Sequence, residues 1–375
     1  MLRVLVLLFI SLSLFSDDYS FDMGEVEPEP YEYSGYLRVD NKYQHLDKPE
    51  DKYQNYLHLE ALLNFTYFHD IYKLKTSLMA NYDHINNKLA KSDFPINELY
   101  AEAKINTNHS ILGGKESLQW GKGYFFNPVA YFDRPKDPQQ PTQTREGFVI
   151  SKYSYNKSFN SSSLKNLSFD FVYLPASESI NKDYYNLITN QENSHNIATR
   201  LYILLYDTDI DFVYNYSDEA DNKIGIDFSK NILSNFEIHG EYSKIISDDY
   251  SYLLGLRYLT DFELTIISEY LYRSAGLDKE EIKSSITNIP FIAKDYAITL
   301  ITQKEPLDIL YFSVYYKNMI NLQDYSQQNK VGVNYSFKNN INLDLSYNLN
   351  TGSNLSEFGK KQVSDFTWIR MTWNY

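Results

Sequence analysis

The chain has 375 residues, with 49 acidic against 35 basic side chains, a formal charge of −14 and no cysteine. That balance excludes a surface built to neutralise nucleic-acid phosphates, and the absence of cysteine excludes a disulfide framework and thiolate metal centres. Tyrosine occurs 36 times and phenylalanine 22 times while mean hydropathy is negative, a combination met by a membrane barrel that is apolar outside and polar inside.

Residues 1–16 begin with Arg3, run through Val4 to Ile10 and end in Ser11, Ser13 and Ser16. A basic start, a short apolar core and small residues make a signal peptide, cleaved after Ser13 or Ser16. The apolar run is too short to span a ~30 Å hydrocarbon layer as a helix. Residues 17–32, with Glu25-Val26-Glu27-Pro28-Glu29-Pro30, read as an acidic, flexible periplasmic leader.

From Tyr33 onward apolar and polar residues alternate with a period of two. Ile341 to Leu349 places Ile, Leu, Leu, Tyr and Leu at odd positions and Asn, Asp, Ser and Asn at even ones; Val331 to Lys338, Leu99 to Ile105 and Phe236 to Tyr242 behave alike. The pattern predicts about eighteen strands, at 33–41, 54–67, 72–82, 97–106, 110–120, 146–156, 167–174, 196–206, 208–216, 222–229, 234–244, 251–259, 262–273, 294–303, 308–318, 328–338, 341–350 and 364–375. The hairpin 146–174 is the least regular, and without it the count is sixteen.

The connections alternate in length. Phe68–Ile71, Asp207, Thr260–Asp261, Lys304–Leu307 and Asn339–Asn340 are short, whereas 83–96, 121–145, 175–195, 274–293, 319–327 and 351–363 are long. Only 157–166 breaks the rule. Short periplasmic turns and long outer loops fit a transmembrane antiparallel up-and-down β-barrel over 33–375. In hydrocarbon such a sheet must close on itself, because no backbone polar group can be left unpaired. Tyrosines at segment ends suit interfacial girdles. Within 274–293, Leu277 to Lys283 reads as a short helix.

Charged positions fall on the inward face, among them Arg38, Lys73, Lys75, Arg200 and Arg257. A barrel of this size is too wide for side chains to fill, and charge on its wall sets ion preference. The loop 121–145 stands apart. It carries Pro128, Pro135, Pro138 and Pro141, which stiffen it, and the charges Asp133, Arg134, Lys136 and Asp137. It is expected to fold inward as a constriction, with those four residues facing Arg38, Lys73 and Lys75; the bland alternative is a loop packed on the outer rim. The seven histidines are scattered, and neither a Gly-x-Ser-x-Gly elbow nor a phosphate loop occurs. No metal, cofactor or enzymatic activity is expected.

Gly114-Lys115-Glu116 through Trp120-Gly121-Lys122-Gly123 and Asn127-Pro128 resembles the Gly-Lys-Gln…Trp-Gly strand and following loop of proteobacterial porin-like outer-membrane barrels, with Glu116 where that family has Gln. The final strand resembles the C-terminal strand of Gram-negative barrels, whose terminal aromatic is read by the insertion machinery; Trp373 and Tyr375 occupy that place. The resemblance implies an outer-membrane porin passing small hydrophilic solutes or ions, with lipid and the insertion machinery as partners and a homotrimer as the common assembly. The other reading is a structural, adhesion or polymer-export barrel blocked by its own loops.

Overall fold

A computed structural model describes residues 29–47, 52–86, 88–184, 193–247, 249–285 and 291–375. The signal peptide and all but the end of the leader lie outside these residues. The strands in chain order are β1 (Tyr31–Leu46), β2 (Tyr53–His69), β3 (Tyr72–Ile85), β4 (Lys88–Asp93), β5 (Ile96–Lys104), β6 (His109–Glu116), β7 (Phe148–Ser158), β8 (Leu164–Ala176), β9 (Ser194–Leu205) and β10 (Thr208–Ser217). They continue as β11 (Lys223–Leu233), β12 (Phe236–Ile245), β13 (Tyr250–Leu259), β14 (Leu264–Arg273), β15 (Asp295–Lys304), β16 (Phe312–Asn321), β17 (Gln327–Ser336), β18 (Ile341–Thr351) and β19 (Val363–Asn374).

Apart from β4 and β5, which both pair with β3, each strand pairs antiparallel with its chain neighbours, and β1 pairs with both β2 and β19, so the sheet closes into a barrel. β4 pairs with Asn81–Ile85 of β3 and β5 with its lower half, Tyr72–Leu78. The two are halves of one stave interrupted at Phe94-Pro95, where Pro95 lacks an amide to donate but its carbonyl accepts from Met79. The architecture is therefore a closed antiparallel barrel of eighteen staves, and the hairpin 146–174 is part of it.

The seam shows how tightly the ends fit. Gly35 N–H donates to the Tyr375 carbonyl at 3.2 Å and Tyr375 N–H donates back at 3.1 Å, while the Tyr375 hydroxyl reaches the Leu62 carbonyl at 2.9 Å. A Cβ at Gly35 would lie 2.2 Å from that hydroxyl, so only glycine lets the terminal ring cross the seam.

The faces follow the alternation. Leu343, Leu345, Tyr347 and Leu349 point outward and are exposed, whereas Ser346 and Asn348 between them are buried. Ile369 and Met371 on β19, Ile224 and Ile226 on β11, and Leu254 and Leu256 on β13 continue the apolar exterior. An exposed apolar surface of this continuity has lipid as its solvent.

Five boundaries differ from expectation. β1 begins at Tyr31 and runs to Leu46 because it keeps register with β2 from Tyr31 to His45 and Leu46 pairs with Val363 of β19. Much of 83–96 is strand rather than loop, since β3 and β4 continue as a hairpin above the wall. β6 stops at Glu116, four residues early, where the chain leaves for the lumen. The turn placed at Lys304–Leu307 extends to Tyr311, with left-handed Glu305, Leu307, Asp308 and Tyr311 around Pro306. The connection 157–166 shortens to Phe159–Ser163, because β7 and β8 pair up to Ser158 and Asn166. The expected outer helix forms as α1 (Lys279–Ser284), capped by Asp278 with Glu281 reciprocating.

A candidate constriction inside the barrel

Between Glu116 and Phe148 the chain turns into the barrel. Phe125, Val129 and Phe132 are almost fully buried although they belong to no strand. Phe125 and Phe132 help complete two apolar clusters on the inner wall. Trp120, Tyr131 and Phe132 pack with Ile150, Val172, Leu174, Ala198 and Val213. Phe125 and Phe126 pack with Leu253, Leu271, Tyr296, Ile298 and Met319. The wall is thus apolar where the loop covers it, and the loop is rich in aromatics for the same reason.

Polar contacts fix its position. The N–H groups of Lys122 and Gly123 donate to Oε1 of Glu241 on β12 at 2.7 and 2.6 Å, and that of Val129 donates to Oε2 at 3.2 Å. Glu269 on β14 takes the next two, Tyr124 N–H and Phe125 N–H, the latter at 3.0 Å. Two buried carboxylates thereby satisfy five loop amides that would otherwise lack partners. Gly121 allows the approach: its φ is +94°, and a Cβ there would lie 2.8 Å from Oε1 of Glu241. Lys122 continues to Asp211 on β10 at 2.9 Å. The Tyr124 hydroxyl donates to Glu237 at 3.0 Å, and burial together with that carboxylate pushes it up to about 12.

The other limb rests against the opposite side of the lumen. Lys317 on β16 donates to the carbonyls of Pro138 and Gln139 at 3.0 and 2.8 Å, and Arg370 on β19 reaches the Gln140 side chain. The loop therefore touches β10 to β14 at one end and β16 to β19 at the other.

The four loop charges are distributed among different partners. Asp133 accepts from Trp120 N–H at 2.9 Å inside the loop, and burial raises its carboxyl above the ordinary range against the loop amides and Arg145. The Lys136 ammonium donates to the Gly123 carbonyl, and burial lowers it. Arg134 binds Glu146 at 3.2 Å and Asp183 of the next outer loop at 2.6 Å. Asp137 stands within electrostatic reach of Lys42, Lys317 and Lys361. The expected pairing of this quartet with Arg38, Lys73 and Lys75 does not occur. Arg38 pairs with Glu60 at 2.9 Å, Lys75 with Glu98 at 2.6 Å and Lys73 with Glu102 at 4.0 Å, all between neighbouring strands. Cross-strand opposite charges are the nearest partners that period-two geometry supplies.

Arg200 bridges Asp211 at 2.8 Å and Asp170 at 3.6 Å. Arg257, opposite Glu237 in register, is exposed toward the lumen. The side chains of Lys73 and Lys75 are 31% and 30% exposed, so water reaches the inner wall below the loop. Among the described residues no group of three or more His, Asp or Glu side chains is placed to hold a metal.

Four contributors were not singled out from the sequence. Glu241 and Glu269 read only as two of many inward charges. Lys42 and Trp368 lay beyond the expected end of β1 and in the polar register of β19. Both lysines flanking Trp368 approach its ring: Lys42 at 4.2 Å and Lys330 at 4.3 Å from the centroid, with Arg370 at 4.6 Å.

No protein-family model matches the chain, and no curated protein matches it in sequence. Solved structures do. Pseudomonas aeruginosa OccK11 (OpdR) superposes with a TM-score of 0.57 at 10% identity, covering 92% of this chain and 96% of its own. Escherichia coli Wzi, described as an outer-membrane protein involved in group 1 capsule assembly and a carbohydrate-binding β-barrel, gives 0.56 at 10% identity over 92% of this chain and 84% of its own. A triple mutant of Rhodopseudomonas blastica porin gives 0.50 at 10% identity over 92% and 100%. At this identity the likeness is one of fold: the chain has the closed barrel architecture of bacterial outer-membrane porins.

Proposed function

We propose that this protein is an outer-membrane channel through which small hydrophilic solutes or ions diffuse passively, with the inserted loop as its constriction. The observation that carries the reading is the loop itself, anchored by Glu241 and Glu269 on one side and by Lys317 and Arg370 on the other, above a charged wall that water reaches at Lys73, Lys75 and Arg257. An aqueous passage lined by both signs of charge discriminates solutes by size and charge without covalent chemistry. The loop charges Asp133, Lys136 and Asp137 together with Arg38 and Arg200 narrow and polarise it, and Arg134 ties the loop to the outer rim. Residues 1–16 direct export and 17–32 remain periplasmic. Trp373 and Tyr375 serve the insertion machinery, and the Gly114–Pro128 stretch is the inserted-loop signature of the porin-like barrels it resembles. A homotrimer in the outer membrane is the assembly this reading favours.

Purified, refolded protein in planar lipid bilayers tests it. Discrete ohmic current steps are expected. Silence from protein that is folded by heat-shifted gel mobility would overturn the channel. It would favour the second reading, a surface barrel closed by its loop, for which the support is the burial of Phe125, Val129 and Phe132 against the inner wall and the similarity to Wzi.

A further inference from the structure

The lumen wall is divided by sign. Asp211, Asp227, Glu241 and Glu269 lie on β10 to β14 behind residues 121–129 of the loop, whereas Lys42, Lys317, Lys330 and Arg370 lie on β1, β16, β17 and β19 around Trp368. On the basic side the nearby acids are already engaged. Asp40 accepts Trp368 Nε1–H at 3.0 Å and the Arg370 guanidinium at 3.0 Å through its other oxygen. Asp344 accepts the Tyr315 hydroxyl at 2.9 Å. Lys317 directs its ammonium at two loop carbonyls.

Lys42 and Lys330 differ. Among the described residues neither ammonium has a carboxylate within 4.0 Å or a hydrogen-bond acceptor. Aromatic rings stand against both: Trp368 for each, with Tyr56 at 5.4 Å from Lys42 and Tyr315 at 5.4 Å from Lys330, while Asp40 is in electrostatic reach of both, Asp83 and Asp137 of Lys42, and Asp344 of Lys330. An aromatic face holds a cation without neutralising it and leaves its N–H donors free. Three cations around one indole also repel one another, and an anion placed among them relieves that repulsion. Beside the cluster, Lys330 and Trp368 line a small cavity between wall and loop together with Pro138, Gln139, Lys317 and Asn348. Asp40, Asp137 and Asp344 offset three of the four cations Lys42, Lys317, Lys330 and Arg370, and Asp83 is engaged by Tyr56 and His58, so one positive charge stays in excess.

Resting on the channel reading, we propose that Lys42, Lys330 and Arg370 around Trp368 form a binding site for small anionic solutes carrying a carboxylate or phosphate group. The solute's oxygens accept from the two lysine ammonium groups, and Arg370, fixed by Asp40, supplies the third positive charge. The site makes the passage select for anions although the chain as a whole is acidic.

Trp368 is its own reporter. In the W120F/W373F variant it is the sole tryptophan, and its emission in detergent-solubilised, folded protein is titrated with inorganic phosphate, succinate and, as a neutral control, glucose. Saturable change with phosphate or with succinate is expected, the preferred probe identifying the anion class, and K42Q/K330Q is expected to weaken it at least tenfold. Calorimetry on the unmodified chain and on K42Q/K330Q gives the same comparison if W120F/W373F does not fold. No saturable response to either anion, an equal response to glucose, or one indifferent to K42Q/K330Q overturns the site. Because binding is read without current, a silent bilayer with intact anion binding sinks the channel and keeps the site, and the converse result sinks only the site.

Discussion

Oε1 of Glu241 lies 2.6 Å from the backbone nitrogen of Gly123, and this contact joins the wall of the barrel to the first limb of the inserted loop. The same carboxylate also takes the amides of Lys122 and Val129, so one side chain satisfies three donors that have left the β-ladder. Removing it in E241A leaves all three without an acceptor, at roughly 1–3 kcal/mol for each amide that stays dry. The strand ladder is untouched. The expected outcome is a folded barrel whose loop is loosened, read as larger or noisier single-channel current and faster proteolysis within 121–145. E241Q, which keeps one acceptor oxygen, is expected to fall between wild type and E241A. An E241A protein with wild-type current and protection would show that the aromatic packing alone holds the loop.

Gly121 makes the approach to Glu241 sterically feasible. With φ at +94° and only 2.8 Å between a built Cβ and Oε1, G121A meets both backbone strain and a contact no real Cβ makes. The left-handed region alone costs an alanine roughly 1–2 kcal/mol. G121A is therefore expected to displace the loop much as E241A does, and the double variant to add little beyond either one, since both act on one contact. Additive effects on proteolysis would separate the two residues.

The eighteen staves were legible because their signal is local: side chains two apart share a face, and lipid outside with water inside makes the faces differ in polarity. The inward turn of 121–145 was suggested by its prolines and aromatics. Its partners were not legible. Glu241 lies more than a hundred residues from Gly123, and nothing around it in β12 distinguishes it from Glu237 four residues earlier. Arg134 was expected to meet wall cations across the lumen, yet Glu146 at the loop's own return and Asp183 in the next loop are nearer. Trp368 was visible only as an aromatic interrupting the polar register of the last strand. That interruption, an apolar ring among Arg370, Thr372 and Asn374, was the one available sign that the inner wall needed a ring there.

The face assignment makes a direct prediction for β17 and β18. Leu345 is 44% exposed on the outer surface, whereas Asn334 points into the lumen. An arginine facing the bilayer midplane costs roughly 2–4 kcal/mol. L345R is expected to lower the yield of folded barrel on refolding into lipid, measured by heat-modifiable gel mobility, and N334R to refold as wild type does. Equal yields would place the lipid boundary elsewhere.

The buried Asp133 carboxyl gives the loop a pH dependence. Burial raises its pKa in the packed loop, so the packed form binds a proton more tightly than the released form. The contribution of this group to packing is complete below its unperturbed pKa of ~3.9 and is lost as pH rises through the raised value. Lys136 acts at the other end of the scale: its lowered pKa makes its contribution present above ~10.4 and lost as pH falls through the lowered value. Over the acidic range the change that separates wild type from D133N therefore belongs to Asp133. The difference between the two proteins isolates Asp133. Protection of 121–145 from proteolysis is expected to increase from neutral pH toward about pH 4 more steeply in wild type than in D133N. Parallel pH profiles would mean that the Asp133 carboxyl keeps its charge inside the loop, held by the Trp120 amide and Arg145 despite its burial.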